Sequence, residues 1–590
     1  MKFSIWKKLT LVILAAAIAL CGSGCRLRSN EERFDEYTAE IFRQMLSGDT
    51  LSAHFIVSDL EKYGISTDTV SFGQVLPDAS LQGNMTWEQS VDSQIKMLEF
   101  MFNYDKLTEA QQLTYDQLMH YLNASRNYGG LEYYNSYCVG SNSVVTNLPL
   151  MLAEFEFRTL VDIDCYLALL DTYDEYFSQI IQYEQERSNR GLFMADASLD
   201  GFQEKCNQFL ESGEENVLLL SFKDRISVFE GLDETSKETY IAKNKNLVET
   251  VVMPAYQSLS VALEQLRGTG KAVGGICQLP KGKQYYEYWV GRTVGSSMTI
   301  DEMYTALATA MNTYQAKIME LSNQDPDLLQ KITAFSFRYD TPEDVIEHLK
   351  EATKEDYPAL QNVNYTIKSI PSYLSNTNVA GFYIMSPVDT VDHQIIYMND
   401  AKLFTDEEVF TTLAHEGYPG HLYQTVYSLR DNPNPLRYAL GTTGYKEGWT
   451  TYVEKESYRY CGIQDETLIL ALQLNNVYNT LFSAYLDIAV NYKGMDFQTF
   501  YNMLKSMGIE ESTARTAYQA YTEDPGIYLP YAIGFLEIEA LRQQAEETLG
   551  EKFVLKEFHE TILELGSVPF PLLEKHVNAW LAEATLLEAL

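Results

Sequence analysis

The segment HEGYPGH, residues 415–421, constrains the fold more than any other stretch of the sequence. Its two histidines stand six positions apart, whereas the H-E-x-x-H motif of zinc peptidases places them four apart on one helix face. On an ideal helix of 3.6 residues per turn, two side chains six positions apart point about 120° away from each other. In a straight helix, His415 and His421 therefore cannot bind the same ion.

The residues between the two histidines cannot continue as a regular helix. Pro419 lacks the N–H group that would donate to the carbonyl of His415. A glycine on each side of the Tyr-Pro pair permits backbone angles that other residues rarely adopt. A broken turn at this point can bring His421 back beside His415. The irregular spacing thus predicts a bent turn that creates a shared site.

The residues before this turn, FTDEEVFTTLAHE, predict the helix that presents the first histidine. Thr405 can cap its start, and Glu408 three positions later completes a capping box. An apolar face follows at helical spacing and consists of Val409, Phe410, Leu413 and Ala414. We expect this helix to pack into the core, with His415 and Glu416 in its last regular turn.

A catalytic zinc ion needs a third protein ligand, and GYKEGWTTYVEKES, residues 444–457, predicts a second helix that can provide it. Glu447 is the expected ligand. Glu454, seven residues later and nearly on the same helix face, either orients a histidine or is the ligand itself. Glu416, beside the first histidine, is the expected general base that removes a proton from the metal-activated water.

An alternative interpretation of this segment needs no metal. His415 can be a hydrogen-bonded core histidine, and the Pro-Gly pair can simply end the helix. The chain has only eight histidines, however, and two of them fall within seven residues beside a glutamate. That concentration favours the metal interpretation.

HEGYPGH, followed by EGWTTYVE, resembles the bacterial domain-of-unknown-function family 885, whose members carry H-E-G-x-P-G-H and then E-G-W-A-x-Y-x-E. Thr450 stands where the family has alanine. Further segments resemble the family in the same order: GGICQLPKGKQYY, GFYIMSP with YMND, and the C-terminal block that begins LPYAIGFLEIEALR. The resemblance is faint in the N-terminal helical part and strong in the C-terminal part.

The resemblance implies a mostly helical, zincin-like protein that is grouped with metallopeptidases. It implies that Zn²⁺ is held by the residues that match His415, His421 and Glu447. It also implies that Glu416 is catalytic.

Tyr531 and Arg542 match positions of the family's C-terminal block. Tyr531 could donate to the oxyanion of a tetrahedral intermediate, or it could be a packing residue. The guanidinium of Arg542 could bind a carboxylate of a peptide substrate, or it could form an intramolecular salt bridge. Both interpretations of each residue stay open at this point.

The N-terminus is typical of an exported lipoprotein. A basic start, MKFSIWKK, precedes the apolar run LTLVILAAAIAL, and CGSGC follows. Residues 1–24 are therefore interpreted as a lipoprotein signal peptide, and Cys25 as the lipidated residue that anchors the protein to the bacterial membrane outside the cytoplasm. Gly22 replaces the leucine that such signals usually carry three positions before the cysteine, so cleavage to a free secreted protein is the alternative.

Helical periodicity and only 16 prolines in 590 residues predict a mainly α protein. We expect a tether at residues 25–36, an N-terminal helical lobe at residues 37–267 and a C-terminal catalytic lobe at residues 268–590. Residues 381–400 are different, because two β-rich runs flank a proline and an aspartate there and predict a β-hairpin beside the active-site helix. The expected whole is a large two-lobed helical fold, which the family resemblance implies is zincin-like.

The net charge of −38 argues against a nucleic-acid partner, since a field of that sign repels phosphate. The sequence as a whole predicts an exported zinc-dependent metallopeptidase that hydrolyses peptide bonds, with a peptide as its substrate. A non-catalytic peptide- or cell-wall-binding lipoprotein with a structural metal site is the alternative. An amidase that acts on cell-wall peptides would share the same site and differ in its substrate.

Overall fold

The computed structural model describes residues 28–77, 86–141, 143–271, 274–335, 339–360, 363–370, 380–399, 405–431 and 433–586. The interpreted signal peptide and Cys25 lie outside these residues. Within them the protein is mainly α with one small sheet, as predicted. None of the described helices combines the length and the hydropathy that a membrane span requires.

The described helices up to residue 294 are α1 (Asn30–Leu46), α2 (Thr50–Ile56), α3 (Trp87–Met101), α4 (Glu109–Ser125), α5 (Val144–Ala153), α6 (Leu160–Asp171), α7 (Tyr173–Asn189), α8 (Asp196–Leu210), α9 (Val217–Val228), α10 (Glu234–Leu247), α11 (Met253–Glu264) and α12 (Gly282–Val294). A π-helical turn, Val248–Val252, joins α10 to α11.

The described helices that follow are α13 (Ile300–Gln324), α14 (Leu328–Ala334), α15 (Pro342–Ala352), α16 (Asp406–Glu416), α17 (His421–Leu429), α18 (Leu436–Leu440), α19 (Thr443–Ser457), α20 (Glu466–Asn491), α21 (Phe497–Lys505), α22 (Glu511–Glu523), α23 (Leu529–Leu549), α24 (Leu555–Glu564) and α25 (Phe570–Leu586). The predicted capping box at the start of α16 is confirmed, because Thr405 accepts from the N–H of Glu408 and Glu408 reaches back to the N–H of Thr405.

Three strands, β1 (Asn364–Ser369), β2 (Gly381–Ile384) and β3 (His393–Met398), form the sheet in the order β1-β3-β2. β2 and β3 pair in antiparallel register, which confirms the predicted hairpin. β1 was not predicted and pairs with β3 in parallel. β2 is therefore an edge strand within the described part of the sheet.

The chain divides into two compact units that interleave along the sequence. The first comprises residues up to 107, residues 125–286 and residues 490–525, and the second comprises the remaining residues. The predicted lobes are contiguous segments of the chain, and that division stays a prediction.

The first unit has a core built mainly by the apolar faces of α5 to α11. Large aromatic side chains fill it, and Tyr166, Tyr173 and Phe222 are completely buried. The core also holds an ion pair, in which Arg187 donates to the fully buried carboxylate of Glu184 at 2.6 Å. A buried pair of this kind is tolerated only when both charges are satisfied.

The second unit contains the histidine segment and the sheet. The predicted apolar face of α16 is buried, since Phe410, Leu413 and Ala414 have no exposed surface. They pack in a cluster with Ile396 of β3 and Leu472 of α20. α16 is thus held between the sheet and neighbouring helices, which fixes the end that carries the first histidine.

Helices α19 and α23 of the second unit approach each other closely at glycines. A β-carbon added to Gly448 would lie 2.4 Å from the carbonyl carbon of Gly534, and one added to Gly534 would lie 2.1 Å from the carbonyl oxygen of Gly444. The backbones of the two helices are therefore in direct contact, and no side chain fits between them. This contact sets Glu447 of α19 beside Tyr531 of α23.

Replacing Gly448 with alanine should destabilise the second unit. The added methyl group meets backbone, which cannot rotate away, so we expect a loss of about 1–3 kcal/mol in the free energy of unfolding. Thermal unfolding followed by circular dichroism measures it. Gly291→Ala in α12 is the matched control, because nothing lies within 4 Å of its added β-carbon, and there we expect unchanged or slightly higher stability. Equal melting temperatures for Gly448→Ala and the unmodified protein would contradict the close contact.

Candidate metal centre

The predicted bend after the first histidine is present in the structure. α16 ends at Glu416, and α17 begins at His421 after a four-residue turn that contains a cis Tyr-Pro peptide bond. The N–H groups of Gly417 and Tyr418 both donate to the carbonyl of Leu413, at 3.0 and 3.2 Å. The helix therefore ends in a tight turn instead of continuing.

Gly420 permits this bend. A β-carbon at Gly420 would lie 1.8 Å from the carbonyl oxygen of His415 and 2.4 Å from that of Ala414. The chain folds back directly onto the end of α16, where only a residue without a side chain fits. The indole N–H of Trp449 donates to the carbonyl of Pro419 at 3.0 Å and ties the turn to α19.

The bend brings together three side chains of the types that can bind a metal ion. His415, His421 and Glu447 offer ligand atoms that all lie within 4.8 Å of one another. Oε2 of Glu447 is 3.2 Å from Nε2 of His421 and 3.7 Å from Nε2 of His415. The two imidazole rings stand nearly perpendicular, with centroids 5.1 Å apart. These are the three residues that the sequence predicted as ligands.

The donor atoms fit a zinc ion. Imidazole nitrogens and a carboxylate oxygen are ligand types that Zn²⁺ binds, and three protein ligands are typical of its catalytic sites. The buried Oε2 of Glu447 accepts no hydrogen bond of ordinary geometry from any described residue. A buried acceptor in this position costs free energy unless a cation or a donor satisfies it.

The electrostatics of the cluster also favour a cation. Burial lowers the pKa of His415, but the nearby carboxylates of Glu447 and Glu454 outweigh burial and raise this pKa well above its ordinary value. Burial raises the pKa of Glu447, but the nearby charge of His421 and the close approach of both imidazole rings hold this pKa below its ordinary value. Positive charge is therefore stabilised between the carboxylates.

Glu454 contacts the far side of the first histidine. Its Oε2 lies 3.1 Å from Nδ1 of His415, and its Oε1 accepts a hydrogen bond from Asn476 of α20 at 2.8 Å. This contact turns Nε2 of His415 toward Glu447. The geometry favours Glu447 as the third ligand and Glu454 as the residue that orients a ligand.

Glu416 lies beside the cluster without being part of it. Its Oε1 is 4.0 Å from Nε2 of His415. Its Oε2 accepts a hydrogen bond from the backbone N–H of Tyr383 in β2, at 3.0 Å. Burial raises the pKa of Glu416, although the charges of both histidines oppose the shift. A raised pKa makes a carboxylate a stronger base, which suits a group that accepts a proton from water.

Comparison with known proteins identifies the family. A family described as bacterial protein of unknown function, DUF885, matches residues 62–577. The chain belongs to the DUF885 family. The match includes every residue of the metal centre described above. No curated protein matches the sequence significantly.

Solved structures show the fold of this DUF885 protein. A candidate lipoprotein from Colwellia psychrerythraea aligns over 93% of this chain and 99% of its own, with 20% identity and a TM-score of 0.78. A candidate lipoprotein of unknown function from Shewanella oneidensis aligns over 94% and 100%, with 16% identity and a TM-score of 0.61. The fold of the DUF885 protein is thus shared with both structures.

Tyr531 of the DUF885 protein lies at the candidate metal centre. Its ring stacks beside that of His415, with centroids 6.2 Å apart. The carboxylate of Glu447, followed by burial and the carboxylate of Glu416, raises the pKa of the Tyr531 hydroxyl well above its ordinary value. The hydroxyl therefore stays protonated at neutral pH and can donate a hydrogen bond.

Arg542 lies elsewhere on the same helix. It is 11 residues after Tyr531 in α23, which corresponds to about 16 Å along the axis. Its guanidinium contacts Glu456 at 3.1 Å and Glu546 at 2.8 Å and donates to the hydroxyl of Tyr452. These contacts favour the intramolecular salt bridge over the predicted role in substrate binding.

Two residues of the centre were not predicted from the sequence. Tyr383 acts through its backbone N–H, which carries no sequence signal beyond the strand pattern of the hairpin. Asn476 lies in α20, far from the histidines in sequence, and contacts the site through its hydrogen bond to Glu454 of α19. The family resemblance includes the hairpin, and it could have directed attention to Tyr383.

Removing the contact behind His415 should weaken zinc binding. Residues that orient a metal ligand typically contribute 10- to 100-fold in affinity, so we expect Glu454→Ala to raise the Kd for zinc by about that factor. Competition with a chromophoric chelator measures it. Glu466→Ala, at an exposed position at the start of α20, removes the same charge and should leave the Kd unchanged. Equal affinity for the two variants would refute the orienting role.

Proposed function

We propose that this DUF885 protein is an exported zinc-dependent metallopeptidase that hydrolyses peptide bonds. The observation that supports the proposal most is the arrangement of Glu416. Its carboxylate, which is 14% exposed, lies 4.0 Å from Nε2 of His415 and is not one of the three side chains that would hold the ion. A structural metal site has no need for such a neighbour, whereas a hydrolytic site requires a base there.

His415, His421 and Glu447 would hold the ion. Zinc bound by these residues supplies Lewis-acid chemistry: it polarises the scissile carbonyl and lowers the pKa of water. Glu454 keeps the imidazole of His415 in the orientation that presents Nε2 to this site. Side chains that do not hold the ion would carry out proton transfer and stabilise the oxyanion.

Glu416 would act as the general base and then as the general acid. Its carboxylate takes a proton from the attacking water as the oxygen bonds to the carbonyl carbon. The same proton passes to the amide nitrogen as the carbon–nitrogen bond breaks, so that an amine leaves and a carboxylic acid forms. The raised pKa of Glu416 suits both transfers.

Tyr531 would stabilise the oxyanion that forms during the attack. Its hydroxyl stays protonated because neighbouring carboxylates raise its pKa. A hydrogen bond that forms only as charge develops on the carbonyl oxygen lowers the barrier without tightening substrate binding.

The edge strand β2 would bind the peptide as an added strand. The N–H of Asn399 donates to the carbonyl of Ala380. Residues of an antiparallel strand point their backbone N–H and C=O groups alternately toward and away from the partner strand. The backbone N–H and C=O groups of Gly381 and Tyr383 therefore point away from β3. The hydrogen bond from Tyr383 to Glu416 shows that this edge faces the site. An extended peptide there is recognised through its backbone.

A lipid anchor at Cys25 would place the enzyme at the outer face of the bacterial membrane. The basic and apolar residues before this cysteine support export. Both solved structures that share the fold are described as candidate lipoproteins. Substrates would then be peptides outside the cytoplasm.

Replacing Glu416 with glutamine separates catalysis from metal binding. We expect zinc binding to persist and kcat/KM on a mixed-peptide library to fall by about 10²–10⁴-fold, because general-base catalysis is lost. Glu557→Gln on the exposed surface of α24 is the control and should cut like the unmodified protein. Retained hydrolysis in Glu416→Gln would overturn the role of the base. A zinc-loaded unmodified protein that cuts no peptide would instead support the binding lipoprotein.

Replacing Cys25 with alanine tests the anchor. We expect the protein to move from the membrane fraction to the soluble extracytoplasmic fraction and to lose incorporation of labelled fatty acid, since the thiol that would carry the lipid is gone. Cys21→Ala is the matched control and should remain in the membrane fraction. The opposite pattern, with Cys21→Ala released and Cys25→Ala retained, would show that the lipid is attached at the other cysteine.

A further inference from the structure

The first unit contains a large cavity. Its volume is about 620 Å³, which lies within the range of sites that bind small organic molecules. Its walls come mainly from the segment between α4 and α5, the start of α8, the glycine-rich segment between α11 and α12, and α22. All of the lining residues belong to the first unit. The cavity therefore shares no residue with the candidate metal centre.

Apolar and aromatic side chains form much of the wall. Phe193, Met194 and Ile276 line it. The rings of Tyr134 and Tyr285, which also line it, stack with their centroids 5.4 Å apart. A wall of this kind suits the hydrocarbon part of a ligand, and the few polar groups in it select the functional group that the ligand carries.

Three carboxylates also line the cavity, those of Asp196, Glu523 and Asp524. None of them has a cation within ion-pair distance among the described residues. Asp196 accepts a hydrogen bond from the backbone N–H of Gly268 at 2.9 Å, and Asp524 accepts one from the backbone N–H of Ser141 at 2.7 Å. These bonds hold two of the carboxylates in place and do not supply a formal positive charge.

The two arginines of the described wall are already paired with glutamates. Arg187 donates to the carboxylate of Glu184 at 2.6 Å, and Arg515 donates to that of Glu511 at 2.7 Å. The guanidinium of Arg515 also lies over the ring of Phe497, with Cζ 4.1 Å from the ring centroid. The wall therefore has more negative than positive charge, and it favours a cation over an anion.

Two hydroxyl groups of the wall indicate a ligand independently of the charges. Tyr134 is 9% exposed and Ser198 is 6% exposed, and both line the cavity. Neither hydroxyl has a hydrogen-bond partner among the described residues. Neither oxygen is one of the fully enclosed polar atoms of the described chain, so both keep surface that a ligand can reach. Polar groups this deep in a protein are normally paired, and an N–H group of a ligand would pair with them.

The environment of Asp524 is also suited to a positive neighbour. Burial, with a smaller contribution from the charge of Glu523, raises the pKa of Asp524 to about 6, although the hydrogen bonds from Ser141 and the charge of Lys205 oppose the shift. A cation beside this carboxylate would stabilise its charged form and lower its pKa.

We propose that this cavity binds an organic ammonium ion, that is, an amine on an aliphatic stem. The carboxylates of Glu523 and Asp524 would bind the ammonium group. The hydroxyls of Tyr134 and Ser198 would accept hydrogen bonds from N–H groups of the same ligand, and the apolar wall would pack against its stem. A polyamine and a lysine side chain both offer this chemistry, and the experiment distinguishes them. The proposal does not depend on hydrolysis at the metal centre.

Isothermal titration calorimetry of the full-length protein tests the proposal with two amines, spermidine and Nα-acetyl-lysine amide. We expect saturable binding of at least one of them with one site per chain, and the tighter of the two identifies the source. The matched neutral compounds are triacetylspermidine and Nα-acetyl-norleucine amide, and they should not bind. Added salt should weaken binding of the amine, because it screens the charges. Binding of the neutral compounds as tight as that of the amines, or no binding of either amine, would overturn the proposal.

Variants of the wall residues locate the binding site. Asp524→Asn keeps an oxygen that can accept from Ser141, and it should raise the Kd about tenfold or more, as loss of a hydrogen bond between charged groups allows. Tyr134→Phe keeps the ring that stacks on Tyr285 and should raise the Kd severalfold. Asp171→Asn, at an exposed position at the end of α6, removes the same charge as Asp524→Asn and should leave the Kd unchanged.

The melting temperature of each variant verifies folding, and Tyr134→Phe decides the matter if Asp524→Asn does not fold. A Kd that is unchanged in every folded wall variant would overturn the cavity as the binding site. The same conclusion would follow if Asp171→Asn raised the Kd as much as Asp524→Asn, because amines would then bind the acidic surface in general.

Discussion

The contact of Gly420 with the carbonyls that end α16 is the constraint on which the metal centre depends. The chain can return onto the helix end only where no side chain intervenes. Without that return, two histidines six positions apart would point to different sides of one helix. His415 and His421 can therefore face the same candidate site, because the backbone of Gly420 approaches the end of α16 closely.

The rest of the centre is attached to this turn by a second close approach. Trp449 holds the carbonyl of Pro419, and its neighbour Gly448 lies directly against Gly534 of α23. α19 can thus present Glu447 to the histidines, while α23 presents Tyr531 to Glu447. The glycines set the distance between α19 and α23. This distance determines where the polar side chains of Glu447 and Tyr531 lie.

Local sequence patterns predicted the parts of the site that depend on local geometry. The capping box at Thr405, the hairpin of β2 and β3 and the helix of Glu447 all follow from residues near one another in the chain. The parallel pairing of β1 with β3 and the contact of Asn476 with Glu454 do not, because they arise from packing between distant segments. The roles of Arg542 were open in the sequence for the same reason, and its contacts with Glu456 and Glu546 became visible only in the fold.

Anomalous diffraction from crystals of the zinc-loaded protein tests the central claim most directly, because it locates the ion and its ligands together. The account predicts one zinc ion per chain, bound by Nε2 of His415, Nε2 of His421 and a carboxylate oxygen of Glu447. A protein that takes up no zinc under excess metal would contradict it, and so would an ion bound by other residues while these three side chains point apart.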